Sequence, residues 1–89
     1  MPTLLIFHEV DDVDHWLASP KREELMGPLG MSARLFVDPQ KSNRVGLIVE
    51  VPDIQTFEDA MQSPDVLEGG KYDGVRFDTM VMLVEATPP

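Results

Sequence analysis

The spacing of apolar residues switches between the strand period and the helix period along the chain, and this order limits the folds that it can adopt. Four short stretches are rich in the β-branched and aromatic residues that strands favour. They are residues 4–10, 33–37, 44–51 and 79–86. Two helical segments lie between them, each following an aspartate suited to capping a helix. The sequence therefore predicts the order βαββαβ.

Both helical segments carry apolar residues three and four positions apart, as a helix packed on a sheet requires. These are Val13, Trp16 and Leu17 in the first segment and Ile54, Phe57, Ala60 and Met61 in the second. Pro20 and Gly27-Pro28 predict that the first segment is broken in two. In the second segment, Ser63-Pro64 restarts a short helical turn, and we expect Gly69-Gly70 to end it.

The two halves of the chain also resemble each other. Residues 9–16 align with residues 50–57 at an offset of 41 through the shared pattern Glu-Val-x-Asp followed by an aromatic residue. Two βαβ halves with right-handed crossovers predict an α+β, ferredoxin-like fold, with a four-stranded antiparallel sheet and the helices on one face. We further expect the first and third strands to lie parallel at its centre. If the pattern is only the ordinary sequence of a strand entering a helix cap, the fold prediction is unchanged.

Size and charge set further bounds. The 89 residues suit one domain, which we place at residues 1–86, with residues 87–89 as a C-terminal tail. A core this small, with no cysteine, is expected to gain stability from oligomerisation. The net charge of −9 repels phosphate backbones and anionic lipids, so we expect neither a nucleic-acid nor a membrane partner. The absence of cysteines, of a long apolar run and of a leader predicts a cytoplasmic protein.

Alternation along the strands assigns side chains to two sheet faces. One set is apolar except for a histidine and is expected to face the helices: Leu4, Ile6, His8, Val10, Ala33, Leu35, Val37, Val45, Leu47, Val49, Val51, Met80, Met82, Val84 and Ala86. The opposite set mixes charges with large apolar side chains, among them Leu5, Phe7, Phe36, Ile48, Val81 and Leu83. Because a contiguous apolar patch normally marks an interface, we expect something to cover this second face.

The strand and helix order, the two apolar faces, the length and the broken first helix resemble the dimeric α/β-barrel superfamily, which includes small antibiotic-biosynthesis-monooxygenase-like proteins. The resemblance implies a homodimer whose two sheets face each other to close a barrel, with a ligand pocket between sheet and helices in each subunit. Members of the superfamily include cofactor-independent monooxygenases, lactone isomerases, haem-binding proteins and ligand-sensing modules. The fold by itself therefore does not select a chemistry.

His8 is the titratable residue of the helix-facing set, and its imidazole is suited to act as a general base or to bind a ligand. The alternative is a core histidine bonded to a carbonyl or hydroxyl group. Trp16, and Tyr72 in a flexible loop at residues 69–74, are the candidate ligand contacts beside it, unless both simply pack. Met80 and Met82 are candidates for an adaptable pocket lining, or gap fillers in the core.

Glu9 and Glu50 fall at equivalent positions near the carboxyl ends of the two strands expected to be parallel neighbours. Their carboxylates would then approach each other, and one would have a raised pKa. Arg34, two positions from Phe36, is the strand cation able to neutralise them. Of the two interpretations, we adopt an Arg34–Glu50 pair that fixes the dimer register inside the barrel, rather than a catalytic carboxylate pair.

No metal or cofactor is expected. His15 follows Asp11, Asp12 and Asp14, but this run suits the N-terminus of a helix and matches no metal-ligand spacing. Neither histidine lies in a recognisable haem motif, and no flavin, nicotinamide or phosphate fingerprint is present. The sequence predicts a homodimer that binds a small organic ligand. The alternatives are a cofactor-independent monooxygenase or isomerase with His8 as the base, acting on an aromatic or enol substrate, and a purely structural dimerisation domain.

Overall fold

The computed structural model of the chain describes residues 2–88. The strands are β1 (Thr3–Val10), β2 (Ser32–Val37), β3 (Arg44–Glu50) and β4 (Val75–Val84). The helices are α1 (Val13–Ala18), α2 (Lys21–Met26), α3 (Ile54–Met61) and α4 (Pro64–Tyr72), and a 3₁₀ turn at Gly27–Leu29 follows α2. This order confirms the βαββαβ prediction. Residues 85–88 have no regular secondary structure, and Pro89 of the predicted tail lies outside the described residues.

Short polar side chains start three of the helices. Asp12 accepts a hydrogen bond from the His15 backbone N–H at 3.1 Å, and Asp53 accepts one from Thr56 at 2.7 Å. Ser63 caps α4 in the same way, and Pro64 occupies its first turn, where no partner for a backbone N–H is needed. Pro20 separates α1 from α2, which confirms the predicted break in the first helical segment.

The second helical segment is longer than the sequence predicts. The helix α4 continues through Gly69 and Gly70 to Tyr72, so these residues do not form the expected flexible loop. The glycines serve close packing instead: a Cβ atom at Gly69 would lie 2.6 Å from Leu25 Cδ1, and one at Gly70 would collide with the ring of Phe77. The chain turns only at Gly74, where φ is 75°, and β4 therefore begins at Val75 and not at Thr79.

The sheet order is β2-β3-β1-β4, and every neighbouring pair is antiparallel. The expectation that the first and third strands are parallel was therefore wrong. Because the hairpin reverses the chain between β2 and β3, β3 runs opposite to β1 when it inserts beside it. The register places Thr3 opposite Glu50 and Glu9 opposite Arg44.

The core lies between the helices and one face of the sheet, as the alternation predicts for the central strands. Its buried apolar members are Leu4, Ile6, Val10, Trp16, Met31, Val45, Leu47, Val49, Val51, Phe57 and Ala60. Towards the ends of the edge strands the prediction is less accurate, since Val37, Met82 and Val84 belong to the helix-facing set but are exposed. The helices cover the middle of the sheet and leave these edge positions open.

The pairing of β1 with β4 contains an irregularity, and because of it both halves of β4 direct apolar side chains to the helix side of the sheet. The register shifts between Phe7 and Glu9, and Thr79 fills the break. Its Oγ1 accepts a hydrogen bond from the Glu9 backbone N–H at 2.8 Å and donates one to the Arg76 carbonyl at 2.6 Å. The shift places Val75 opposite Val10 and Met82 opposite Ile6, so both halves present apolar side chains to the helix side.

Candidate functional site

A cavity of about 100 Å³ lies between α2, α4 and the helix-facing side of the sheet. Its walls are mainly apolar and include Ile6, Leu47, Phe57, Met61 and Val66. Two buried polar residues of the described chain, His8 and Asp73, both line it, at 5% and 6% exposure. An apolar pocket on which a few polar groups converge is the usual form of a small-molecule site.

His8 reaches the cavity from the second half of β1. Its ring meets the Trp16 ring edge-on, with 5.8 Å between centroids. Its Nδ1 lies 3.2 Å from the Glu9 carbonyl, which can only accept, so this hydrogen bond places the proton on Nδ1. The pKa of His8 is lowered, and burial is the main cause. The hydrogen bond to Glu9 acts in the opposite direction, and the positive charge of Arg22 lowers the pKa further. At neutral pH the imidazole is therefore uncharged, and Nε2 carries a lone pair that meets no donor among the described residues.

Arg22 lies over the Trp16 ring, which His8 also contacts. Its guanidinium is 4.7 Å from the centre of the Trp16 ring, and one amino group donates to the Trp16 carbonyl at 3.1 Å. Burial lowers the pKa of Arg22, while attraction to Asp73 and Glu23 opposes the shift. An arginine pKa begins so high that the group stays charged, so the cavity has a fixed positive charge on its rim.

Asp73 follows α4 as its C-cap residue, and its backbone N–H bonds to the Gly69 carbonyl. The side chain is buried, and its Oδ1 is shielded from solvent without a hydrogen-bond partner among residues 2–88. No salt bridge connects it to Arg22 in that part of the chain. An unpaired buried carboxylate oxygen is costly, so a group of this kind suggests a functional site.

Sequence reasoning missed both Arg22 and Asp73. Arg22 is one charged residue among several in the segment between Pro20 and Gly27, and no periodic pattern separates it from Glu23 or Glu24. Asp73 precedes Gly74, and such a pair is typical of an ordinary turn. Only the packing of α2 against α4 brings these two residues to the same cavity.

Of the predicted ligand contacts, Trp16 and Met80 line the cavity, but Tyr72 and Met82 do not. Tyr72 is exposed at the end of α4, where its ring lies 5.0 Å from the His15 ring and 5.3 Å from Lys21 Nζ. Met82 pairs with Ile6 across the sheet but remains exposed beyond the helices. The structure therefore brings together His8, Trp16 and Met80, and adds Arg22 and Asp73 to them.

The opposite side of the sheet, here called the open face, carries the other predicted set. Its apolar side chains come from all four strands. The residues Phe7 and Phe36 are 44% and 47% exposed. Gly46 lies between them, since a Cβ atom there would be 3.7 Å from Phe7 and 3.9 Å from Phe36. Leu5, Val81 and Leu83 extend the same apolar surface towards the β4 edge.

The charged residues of the open face are not arranged as the sequence suggested. Glu9 and Glu50 lie at opposite ends of the sheet, about 20 Å apart from the rise of roughly 3.3 Å per residue along β1, so they cannot share a proton. Glu9 pairs with Arg76 at 3.3 Å, and Glu50 accepts a hydrogen bond from Thr3 at 3.0 Å. Arg34 lies opposite Ile48 and forms no salt bridge with Glu50 within the described subunit.

Neither a metal-binding cluster nor a membrane-spanning helix is found in the described part of the chain. Among residues 2–88, no cluster of three or more His, Cys, Asp or Glu side chains is arranged to hold a metal ion. In that same range no helix has the length and apolar character needed to cross a bilayer.

Comparison with known proteins finds similarity at the level of structure only. No protein-family model matches the sequence, and no curated protein matches it. Several solved structures do match. SnoaB, a cofactor-independent oxygenase from Streptomyces nogalater, has a TM-score of 0.69 at 14% identity, with 99% of this chain and 93% of that chain covered. A second structure, described as an antibiotic biosynthesis monooxygenase, has a TM-score of 0.65 at 14% identity over 100% of both chains.

The Rv0793 protein of Mycobacterium tuberculosis matches with a TM-score of 0.59 at 14% identity, over 100% of this chain and 97% of that chain. Identities this low establish a shared fold but do not transfer an activity. The alignment with the antibiotic biosynthesis monooxygenase structure covers the whole chain and therefore includes all four strands of the sheet. The chain therefore has the α+β, ferredoxin-like fold of the antibiotic-biosynthesis-monooxygenase-like structures.

Proposed function

We propose that this protein is a homodimeric α/β barrel that binds a small, partly apolar organic molecule in the cavity beside His8. The observation that carries the proposal is that one cavity collects both His8 and Asp73, which are buried polar residues in a core that is otherwise apolar. Buried polar groups are normally paired, so a structural core would not be expected to leave Asp73 Oδ1 without a partner. The absence of cysteines fits a cytoplasmic location, which belongs to the same proposal.

The open face supports the dimeric part of the proposal. A contiguous apolar surface formed by Phe7, Phe36 and Leu83 is unfavourable in water and is typical of an interface. Two such sheets placed face to face would cover each other's apolar side chains and close a barrel. In this arrangement Glu9, Arg34 and Glu50 lie towards the barrel interior, where Arg34 is available to a carboxylate of the partner subunit.

The size of the cavity indicates how a ligand would enter. At about 100 Å³ it is smaller than the roughly 150 Å³ that accommodates a benzene molecule. A groove of about 450 Å³ runs along α2 and β2 on the outside, and Arg22 and Met26 line both spaces. Rotation of these two flexible side chains would join cavity and groove into a pocket within the usual range of about 300–1,000 Å³.

Two adjacent residues of α4 provide a matched test of the binding site. Val66 lines the cavity and Leu67 is exposed, so Val66→Phe fills the cavity and Leu67→Phe adds the same ring type outside it. We expect toluene to bind saturably to the unmodified protein and to Leu67→Phe, and to lose binding in Val66→Phe, as followed by NMR titration. Equal binding to both variants, or none to the unmodified protein, would contradict the proposed site. Native mass spectrometry of freshly purified protein reports the subunit number and any co-purified ligand.

A second candidate function is a cofactor-independent monooxygenase or isomerase with His8 as the general base. The observation that favours it is the His8–Glu9 hydrogen bond, which holds the proton on Nδ1 and leaves Nε2 free to accept one. The resulting imidazolium would lie near Arg22, so the reaction needs a substrate that becomes an anion, such as an enolate, to stabilise both cations.

Proton abstraction can be tested without knowing the natural substrate. We expect the protein to accelerate exchange of the acidic methylene hydrogens of ethyl acetoacetate in deuterium oxide, relative to buffer of the same pH. His8→Gln should remove the acceleration while toluene binding is retained, and His15→Gln, at the other, exposed histidine, should keep it. Unchanged exchange in His8→Gln would contradict a role as base, and loss of the folded state in that variant would show a core residue only.

A further inference from the structure

Asp73 and Arg22 form an incomplete polar pair at the cavity. The Asp73 Oδ1 atom is buried and accepts no hydrogen bond among the described residues, although the side chain has an ionisable group with several acceptor positions. Arg22 attracts Asp73 but lies beyond salt-bridge distance. Of the five guanidinium N–H donors, one is occupied by the Trp16 carbonyl within this part of the chain. A group placed between them would meet an acceptor on one side and donors on the other.

The signs of the two charges restrict what that group can be. A carboxylate offers only acceptors and is repelled by Asp73, and an ammonium offers only donors and is repelled by Arg22. A ketone accepts from Arg22 but leaves Asp73 Oδ1 unpaired. A neutral hydroxyl group donates one hydrogen bond and accepts others, so it satisfies both residues without adding a charge to an apolar cavity.

We infer that Asp73 and Arg22 together recognise a neutral hydroxyl group on the molecule bound in this cavity. The inference rests on the proposed function, because it specifies the ligand of the same site. The hydroxyl donates to Asp73 and accepts from Arg22, while the apolar remainder of the ligand packs against Trp16 and the sheet. Asp73 is then a specificity-determining residue whose buried Oδ1 accepts the hydrogen bond of the ligand hydroxyl.

The test compares four aromatic probes of similar size that differ in one group: phenol, toluene, benzoate and benzylamine. We expect phenol to bind about tenfold more tightly than toluene, since a hydrogen bond to a charged group adds this much affinity, and the two ions to bind more weakly than phenol. Asp73→Asn should reduce the preference for phenol, and Asp73→Leu should abolish it. Glu68→Gln removes a carboxylate from an exposed position of α4, the helix that precedes Asp73, and should leave the preference unchanged.

A second measurement separates recognition from a structural role. Without ligand, both Asp73→Asn and Asp73→Leu should raise the urea midpoint of unfolding, because they remove an unpaired buried carboxylate. A residue retained for structure would instead give lower midpoints. Equal affinity for phenol and toluene, or tightest binding of benzoate, would overturn the inference while the pocket itself stands. If none of the four probes binds, the proposed function fails.

Discussion

The two faces of the sheet are formed by the same alternating strands, but their apolar side chains are buried on one face and exposed on the other. On the helix side, β1 contributes Leu4, Ile6 and His8, all buried, and the one polar member is held by a backbone carbonyl. On the open face, the intervening Leu5 and Phe7 are large, apolar and exposed, and Glu9 pairs with Arg76 at one end of the sheet. The apolar side chains of the helix side are thus covered within one subunit except at the cavity, whereas those of the open face are exposed.

This difference separates the two parts of the proposal. If the open face is an interface, changes there should alter association and leave the cavity intact. Changes on the helix side should alter the stability of the subunit or its ligand binding, with little effect on association.

The largest effect is expected from a charge at the centre of the open face. Phe7→Glu places a carboxylate where two sheets would meet, and an unpaired charge buried in an interface is strongly unfavourable. We expect the dimer dissociation constant to rise by at least roughly a hundredfold, as measured by sedimentation equilibrium. Leu67→Glu makes a similar change at an exposed apolar residue of α4 and should leave association unchanged. A Phe7→Glu variant that dimerises as tightly as the unmodified protein would show that the open face is not the interface.

An intermediate effect is expected from adding one methyl group on each side of the sheet. On the helix side, Gly70→Ala forces the Phe77 ring to move, and overpacking of this kind costs about 1–3 kcal/mol, offset in part by the better helix propensity of alanine. On the open face, Gly46→Ala meets its nearest neighbours at ordinary contact distance, 3.5 Å or more, and should change the free energy of unfolding by less than about 0.5 kcal/mol. Urea denaturation at equal protein concentration measures both.

The sequence predicts the fold well because the fold depends on periodicity, which is a local property. The alternation in β1 and β3 assigns their faces correctly, and Pro20 and Ser63-Pro64 mark helix boundaries. The relative direction of β1 and β3 was wrong because it depends on how the hairpin inserts into the sheet, and this error also produced the Glu9–Glu50 prediction. The glycines of α4 were misassigned because close packing and helix termination favour the same residue.

Only some of the cavity residues could be predicted, because only some of them lie in segments with a periodic pattern. His8 and Trp16 stand out in sequence because each belongs to a periodic apolar pattern, one as its polar exception and the other as its largest member. Arg22 and Asp73 lie in segments without periodicity, and 50 intervening residues separate them. Their proximity results from the packing of α2 on α4, which requires Gly69 beside Leu25. A single sequence carries no local signal for that contact.

The smallest of the three effects concerns the pH dependence of stability, and it isolates the helix side from the open face. Burial lowers the pKa of His8 in the folded subunit, so between its ordinary value near 6.5 and the lower folded value the unfolded chain binds more protons. The contribution of neutral His8 to stability is therefore complete above about pH 6.5 and is lost as the pH falls through the folded pKa.

The carboxylates ordinarily titrate near pH 4, below the start of this window. We expect the urea midpoint to fall as the pH is lowered below about 6.5 in the unmodified protein, and to fall less in His8→Gln, whose amide does not titrate. His15→Gln removes an imidazole that lies outside the cavity and serves as the control, in which the fall caused by His8 should persist. Parallel curves for the unmodified protein and His8→Gln would show that burial does not lower the pKa of His8 in the folded subunit.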